Sequence, residues 1–153
     1  MRRGHGHGHG RRTVLAVTAA VLVMGARAAA RRRLRLIRVT GTSMTPTYED
    51  GERLLVRTGA RVRDGDVVVF RNPLEERSPD GPRWLVKRAT ALPGAPVPPE
   101  VLRAVGARPG TRVPRGRLVV RGDAQNTQDS RHFGYVRADA VLGVAVRPRR
   151  ARA

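Results

Sequence analysis

Three stretches of this chain hold side chains that could do chemistry together. They are a serine in a tight turn, a lone lysine, and a segment dense in Asp, Asn, Gln, Ser and Thr. Lys87 is the only lysine among 31 basic residues, all the others being arginine, and it follows the apolar triplet Trp84-Leu85-Val86. A guanidinium keeps its proton in a protein, whereas a buried ammonium can lose it, so burial at this position could yield a neutral amine. Ser43 lies in Gly41-Thr42-Ser43-Met44-Thr45-Pro46-Thr47, just ahead of the polar turn Glu49-Asp50-Gly51. Gly41 permits an unusual backbone conformation and Pro46 stiffens the exit, so Ser43 could present its hydroxyl and its N–H to one point. A serine hydroxyl beside an amine base would be a nucleophile beside the group that takes its proton. Taken singly each has an ordinary reading: one lysine can survive by chance in an Arg-rich chain, and turns are full of serines.

The third stretch runs from Gly122 to Gly134 as Gly-Asp-Ala-Gln-Asn-Thr-Gln-Asp-Ser-Arg-His-Phe-Gly. Its side chains hydrogen-bond locally, so it reads as a long turn without secondary structure, with Asp129 and Arg131 able to pair across it. The plain alternative is a polar loop with an internal salt bridge. Three of the four histidines fall in the N-terminal tail, so a Ser-His-Asp triad would depend on His132 alone. With no cysteine in the chain, thiol catalysis, disulfides and Cys-ligated zinc are excluded. No metal or cofactor is expected.

The elements that must position these residues are short strands punctuated by turns. Leu34 to Val39, Glu52 to Arg57, Val67 to Phe70, Trp84 to Ala89, Arg117 to Arg121 and Ala140 to Val146 carry the β-branched and apolar runs, and Val136 adds a short one. Asp64-Gly65-Asp66, Asn72-Pro73 and the charged 74–83 stretch separate them, and one short helix is expected at Pro99 to Val105. With no long amphipathic pattern, the fold class is mainly β, a small barrel or a pair of packed antiparallel sheets spanning residues 34–146.

The ends differ from this domain. Residues 1–12 form a low-complexity basic Gly/His tail, read as disordered, and residues 147–153 a basic tail. Thr13 to Ala26 is an uncharged run, and counting on to Ala30 with Arg27 at the interface reaches the lower limit for a membrane span, about 17 residues. A cleaved export signal ending at Ala26-Arg27-Ala28 is the competing reading. Eight arginines in residues 1–33 and four in 147–153, with no acid in either, leave +7 of the formal +19 to the stretch between. A charge concentrated in the tails suits anionic phosphate, lipid headgroups included, and does not require a nucleic-acid partner. Counted alone, the arginines flanking the apolar run would place its C-terminal side in the cytoplasm.

Taken together and in order, the stretches resemble the type I signal peptidases, membrane-bound Ser/Lys endopeptidases of the S26 family that remove leader peptides from exported proteins. Ser43-Met44-Thr45-Pro46-Thr47 resembles the family's nucleophile box, and Gly65-Asp66 with Val67 to Pro73 its Gly-Asp-x-Val-x-Phe strand. Lys87-Arg88 followed by Leu92-Pro93-Gly94 resembles its lysine box, and Gly122 to Gly134 its last box. The resemblance covers roughly residues 35–146. It implies Ser43 as nucleophile, Lys87 as general base and Thr127 as the hydroxyl that orients the lysine. Arg88, Asp129 and Arg131 would be structural ion pairs, with Met44, Pro46, Gly122, Asp123 and Ser130 completing the boxes. It also implies preprotein substrates with small side chains one and three residues before the cut. Location would be the cell membrane, single-pass, with the domain on the extracytoplasmic face.

The chain departs from the family at several points. Ala124 stands where the family usually has Asn, and the last box is one residue short. Ala91 and Ala95 replace the usual Gly and Asp, and Gly41 lies where some members carry a serine that helps the oxyanion hole. The region between the lysine box and the last box is short, so any accessory β-domain would be much reduced. The short insert and altered last box fit a maturation protease dedicated to one propeptide as the alternative. A self-cleaving transcriptional regulator would need a DNA-binding motif that residues 1–33 do not offer. A non-enzymatic Arg-rich binder of nucleic acid or membrane would leave the three stretches unexplained.

Overall fold

Among the described residues each long apolar run becomes a strand, and these strands join into one sheet. The computed structural model describes residues 33–75 and 81–146. The two tails, the 13–30 segment and residues 76–80 lie outside the described residues, as do the expectations that fall on them. The strands are β1 (Leu34–Arg38), β2 (Arg53–Thr58), β3 (Val67–Arg71), β4 (Trp84–Ala91), β5 (Arg117–Arg121), β6 (Val136–Arg137) and β7 (Val141–Ala145). A one-turn helix α1 (Ser130–Phe133) precedes β6. The sheet order is β1-β2-β7-β3-β4-β5-β6, so the last strand of the chain fills the gap between β2 and β3. The pairings of β2 with β7, β7 with β3, β3 with β4, β4 with β5 and β5 with β6 are all antiparallel.

The expectation of a barrel or a pair of sheets is thereby narrowed to a single, largely antiparallel sheet that begins at β1 and ends at β6. Its central strand β3 is the most deeply buried, with only its last residue, Arg71, exposed. Val67 and Val69 join one buried cluster with Met44, Tyr48, Leu54 and Val56, while Val68 and Phe70 join a second with Ala89, Leu118, Val120 and Val136. A strand buried on both faces reads as a continuous apolar run, because alternation cannot spare either side. Each such Val or Phe contributes about 1.5–3 kcal/mol relative to leaving it exposed. A third cluster of Ala91, Val97, Val101, Val113 and Val119 packs the 91–116 segment against β4 and β5.

Two sequence expectations need correction. The helix expected at Pro99 to Val105 is a single 3₁₀ turn, Pro99–Val101, followed by non-helical turns that end at Gly106 in the left-handed region. The Gly122–Gly134 segment is not free of secondary structure, since it contains α1. The Asp129 side chain caps that helix by accepting from Arg131 N–H, and His132 closes a reciprocal capping box.

The strand that positions the chemistry is β4. Antiparallel pairing sets Lys87 opposite Val68 and Arg88 opposite Val67. Successive side chains alternate across a strand, so the two neighbours leave the sheet on opposite faces. Lys87 shares its face with Leu85 and Ala89 and is 3% exposed, whereas Arg88 is half-buried on the other side.

Candidate active site

Lys87 and Ser43, 44 residues apart in sequence, meet with Lys87 Nζ donating to Ser43 Oγ at 2.5 Å. The lysine arrives from the rigid centre of the sheet, and the serine from the turn between β1 and β2. That turn is anchored by Met44 and Tyr48, both buried in the first cluster. It is also tied to the last box, because Ala124 N–H donates to Ser43 O at 3.2 Å. Burial lowers the Lys87 pKa from its usual 10.5, against the opposing pull of the Asp129 and Asp123 carboxylates, which favour the ammonium. A lysine of lowered pKa in contact with a serine hydroxyl can take that hydroxyl's proton.

Asp129 organises the far wall. It is fully buried, and its carboxylate accepts from Gly122 N–H (3.1 Å), Thr127 Oγ1 (3.0 Å), Arg131 N–H (3.0 Å), Arg131 Nε (2.9 Å) and Arg131 Nη2 (2.8 Å). Burial by itself would raise its pKa, but the hydrogen bonds from Arg131, Gly122 and Thr127 outweigh it and lower the value to about 2. The carboxylate is therefore a fixed anion at any pH where a lysine titrates. The hydrogen bond of Thr127 runs to this carboxylate and that of Lys87 to Ser43, so Thr127 meets the lysine's surroundings through Asp129. Ser130 is equally buried, its Oγ accepting from Val120 N–H and pinning α1 to β5.

Gly122 explains how these groups come so close. Counting on from the ladder pair Arg88↔Arg121 sets Gly122 opposite Lys87. A Cβ there would stand 2.3 Å from Thr127 Oγ1 and 2.7 Å from Ser43 O, closer than real Cβ atoms come. Only glycine leaves the space in which the serine turn and the threonine approach the strand.

On the opposite face Arg88 forms a separate clamp. Its Nε and Nη2 donate to Asp123 at 2.8 and 2.5 Å, its Nη1 to Gly65 O at 2.9 Å, and its Nη2 also to Thr47 Oγ1 at 3.2 Å. Thr47 in turn donates to Asp123 Oδ2 at 2.5 Å. Arg88 thus joins three loops: the serine turn, the turn before β3 and the last box. The sequence reading grouped Arg88 with Asp129 and Arg131, but its partner is Asp123, because alternation along β4 turns it away from Asp129. Thr47 and Gly65 were missed as members of the clamp. Their positions inside the two boxes were the available signal.

His132 stands apart from Ser43. It is an exposed residue of α1 whose Nδ1 accepts from Asp129 N–H at 3.4 Å, so it caps a helix, and the nitrogen in contact with Ser43 Oγ is that of Lys87. Among the described residues no group of His, Asp and Glu is arranged to hold a metal ion.

Comparison with known proteins gives the family. The family model described as signal peptidase, peptidase S26 matches residues 10–101 and 99–148. A probable signal peptidase I-1 of Synechocystis is 29% identical over 133 residues, covering 71% of this chain and 67% of that protein. Signal peptidase I V of Bacillus subtilis is 28% identical over 142 residues, covering 70% of this chain and 80% of its own. A crystal structure of a signal peptidase I from Enterococcus faecalis V583 aligns with a TM-score of 0.40 at 22% identity, over 56% of this chain and 97% of that one. With a family model matching nearly the whole sequence, the chain belongs to the S26 signal peptidases and is a serine peptidase.

Proposed function

We propose that the chain is a membrane-bound leader peptidase in which Ser43 is the nucleophile and Lys87 the general base. The observation that carries this reading is the 2.5 Å contact between Lys87 Nζ and Ser43 Oγ, made by the chain's only lysine. With the amine neutral, the hydroxyl donates to Nζ. As Oγ attacks the scissile carbonyl carbon, its proton passes to the amine, and the resulting ammonium returns a proton to the departing amine nitrogen. Water then attacks the acyl-serine, Lys87 again taking its proton, and the acid product and free serine are released. The Ser43 N–H, for which no acceptor stands among the described residues, is the donor assigned to the developing oxyanion. Thr127 is the hydroxyl assigned to orient the lysine, and its own hydrogen bond runs to Asp129.

The substrates are preproteins with small side chains one and three residues before the cut. Residues 13–30 anchor the enzyme and put its domain on the extracytoplasmic face, where substrate and enzyme share one bilayer and so a high effective concentration. Family membership favours this orientation over the one that counting arginines suggests. Among the described residues no helix is long and apolar enough to cross a membrane, and the 13–30 segment lies outside them.

A preprotein-processing assay on the full chain tests the reading. Ser43→Ala and Lys87→Arg should each abolish cleavage, since loss of a general base removes about 10²–10⁴ in rate, and Thr127→Ala should slow it. Cleavage persisting in Lys87→Arg would sink the Ser/Lys mechanism, because arginine has no neutral form to act as base.

A further inference from the structure

The turn that carries Ser43 is fastened unequally on its two sides. Its C-terminal half is held by Thr45 N–H to Thr42 O at 3.1 Å and Tyr48 N–H to Met44 O at 3.0 Å, with Met44 and Tyr48 buried. Its base is closed by Val39 N–H to Glu52 O at 2.8 Å and Gly51 N–H to Val39 O at 2.9 Å. Between that base and the serine the chain bends at Gly41, whose φ of +88° lies in the region that favours glycine. Nothing lies within 4 Å of where a Cβ of Gly41 would be, so packing on that side does not hold the bend. A carboxylate does: Gly41 N–H donates to Asp50 Oδ1 at 2.7 Å.

We propose that Asp50 is a positioning residue for the reaction: its carboxylate holds Gly41 in the left-handed bend and thereby aims the Ser43 hydroxyl and N–H. The proposal rests on Ser43 being the nucleophile. Glycine has more backbone freedom to lose than any other residue, so a bend built on it needs a restraint from outside. A hydrogen bond to an ionised acceptor is short and strong enough to supply one. Asp50 also follows from the departure at Gly41. A chain without a side chain at that position must govern it through the main chain. The carboxylates that act on the Lys87 titration are Asp129 and Asp123. Asp50 works on geometry, and its removal should leave the pH dependence unmoved.

The test compares Asp50→Ala and Asp50→Asn with wild type and Ser43→Ala, all as full-length protein, reading kcat and KM for a signal-peptide substrate across pH. Asp50→Ala should lower kcat about 10-fold with KM changed by less than about twofold. Asp50→Asn keeps an oxygen that can accept from Gly41 N–H and should stay within about twofold of wild type in kcat. The acid limb of the profile should coincide in all active forms. Wild-type kcat in Asp50→Ala, an equal loss in Asp50→Asn, or a change in KM alone would overturn the proposal. If Asp50→Ala does not fold, the Asn variant decides, its kcat and pH limb matching wild type in support or falling away against. Turnover by Ser43→Ala would instead remove the nucleophile assignment itself. A dead Ser43→Ala beside a fully active Asp50→Ala would remove only the role of Asp50.

Discussion

Asp123 and Asp129 stand on the same short segment, and each receives two guanidinium nitrogens of one arginine, yet they do different work. The Asp123–Arg88 pair keeps side-chain exposures of 14% and 22%, and its spare contacts reach outward to Thr47 and Gly65. Asp129 is fully buried, and apart from Arg131 it collects inward-facing donors, Gly122 N–H and Thr127 Oγ1. The first pair fastens loops to one another. The second makes a fixed buried anion beside the amine. Burial decides between the roles, since a partly exposed pair can share its contacts with neighbouring loops, whereas a fully buried carboxylate must have its hydrogen bonds satisfied inside.

Removing the buried partner should do the most damage. Asp129→Ala leaves the Gly122 N–H and the Thr127 hydroxyl without an acceptor, and the unfolding free energy from urea denaturation should fall by about 3 kcal/mol, with turnover lost. If Asp129→Ala costs no more than Asp123→Ala, the contrast drawn above is wrong. Acid titration sharpens the same point. With a folded pKa of about 2 against an ordinary 3.8, the Asp129 carboxylate stabilises the fold above pH 3.8 and stops doing so as the pH falls through about 2. This contribution amounts to about 2 kcal/mol. Thermal melts across that window should show a loss of stability in wild type that Asp129→Asn lacks.

On the outward side the effect should be smaller. Arg88→Lys keeps the charge but cannot reach Asp123, Gly65 O and Thr47 together, so stability should drop by about 1 kcal/mol and cleavage by about 10-fold. Smallest of all are the shifts in the acid limb of activity. As the proposed base, Lys87 must be neutral to act, so activity should rise with pH through its lowered pKa. Both carboxylates hold that pKa up, so Asp129→Asn and Asp123→Asn should each move the limb to lower pH, the former further. A limb that moves upward in either variant would break the account of the lysine's surroundings.

Much of the domain was legible because the strands are written in local patterns. The Val67–Phe70 and Leu118–Val120 runs each name a strand without reference to anything distant. The one-turn helix Ser130–Phe133 was not legible as such. Its residues are polar turn formers, and it exists because Asp129 caps it and buried Ser130 fastens it to β5. Asp129 and Arg131 were read as a pair from their spacing. The partner of Arg88 was not, because two aspartates of the same segment were available and only the strand's alternation says which one it faces.

By itself, then, the sequence determined the chemical types: one lysine in an arginine-rich chain, a serine in a Gly/Pro turn, and a segment of local hydrogen-bonding side chains. It determined the strands for the same reason, since side-chain period and turn residues act over a few positions. Only the tertiary structure decided that Lys87 meets Ser43, that Arg88 meets Asp123, and that Gly122 must lack a side chain. Each of these depends on how residues far apart in the chain meet across a sheet, and contact at that range follows from register and burial, which no local pattern encodes.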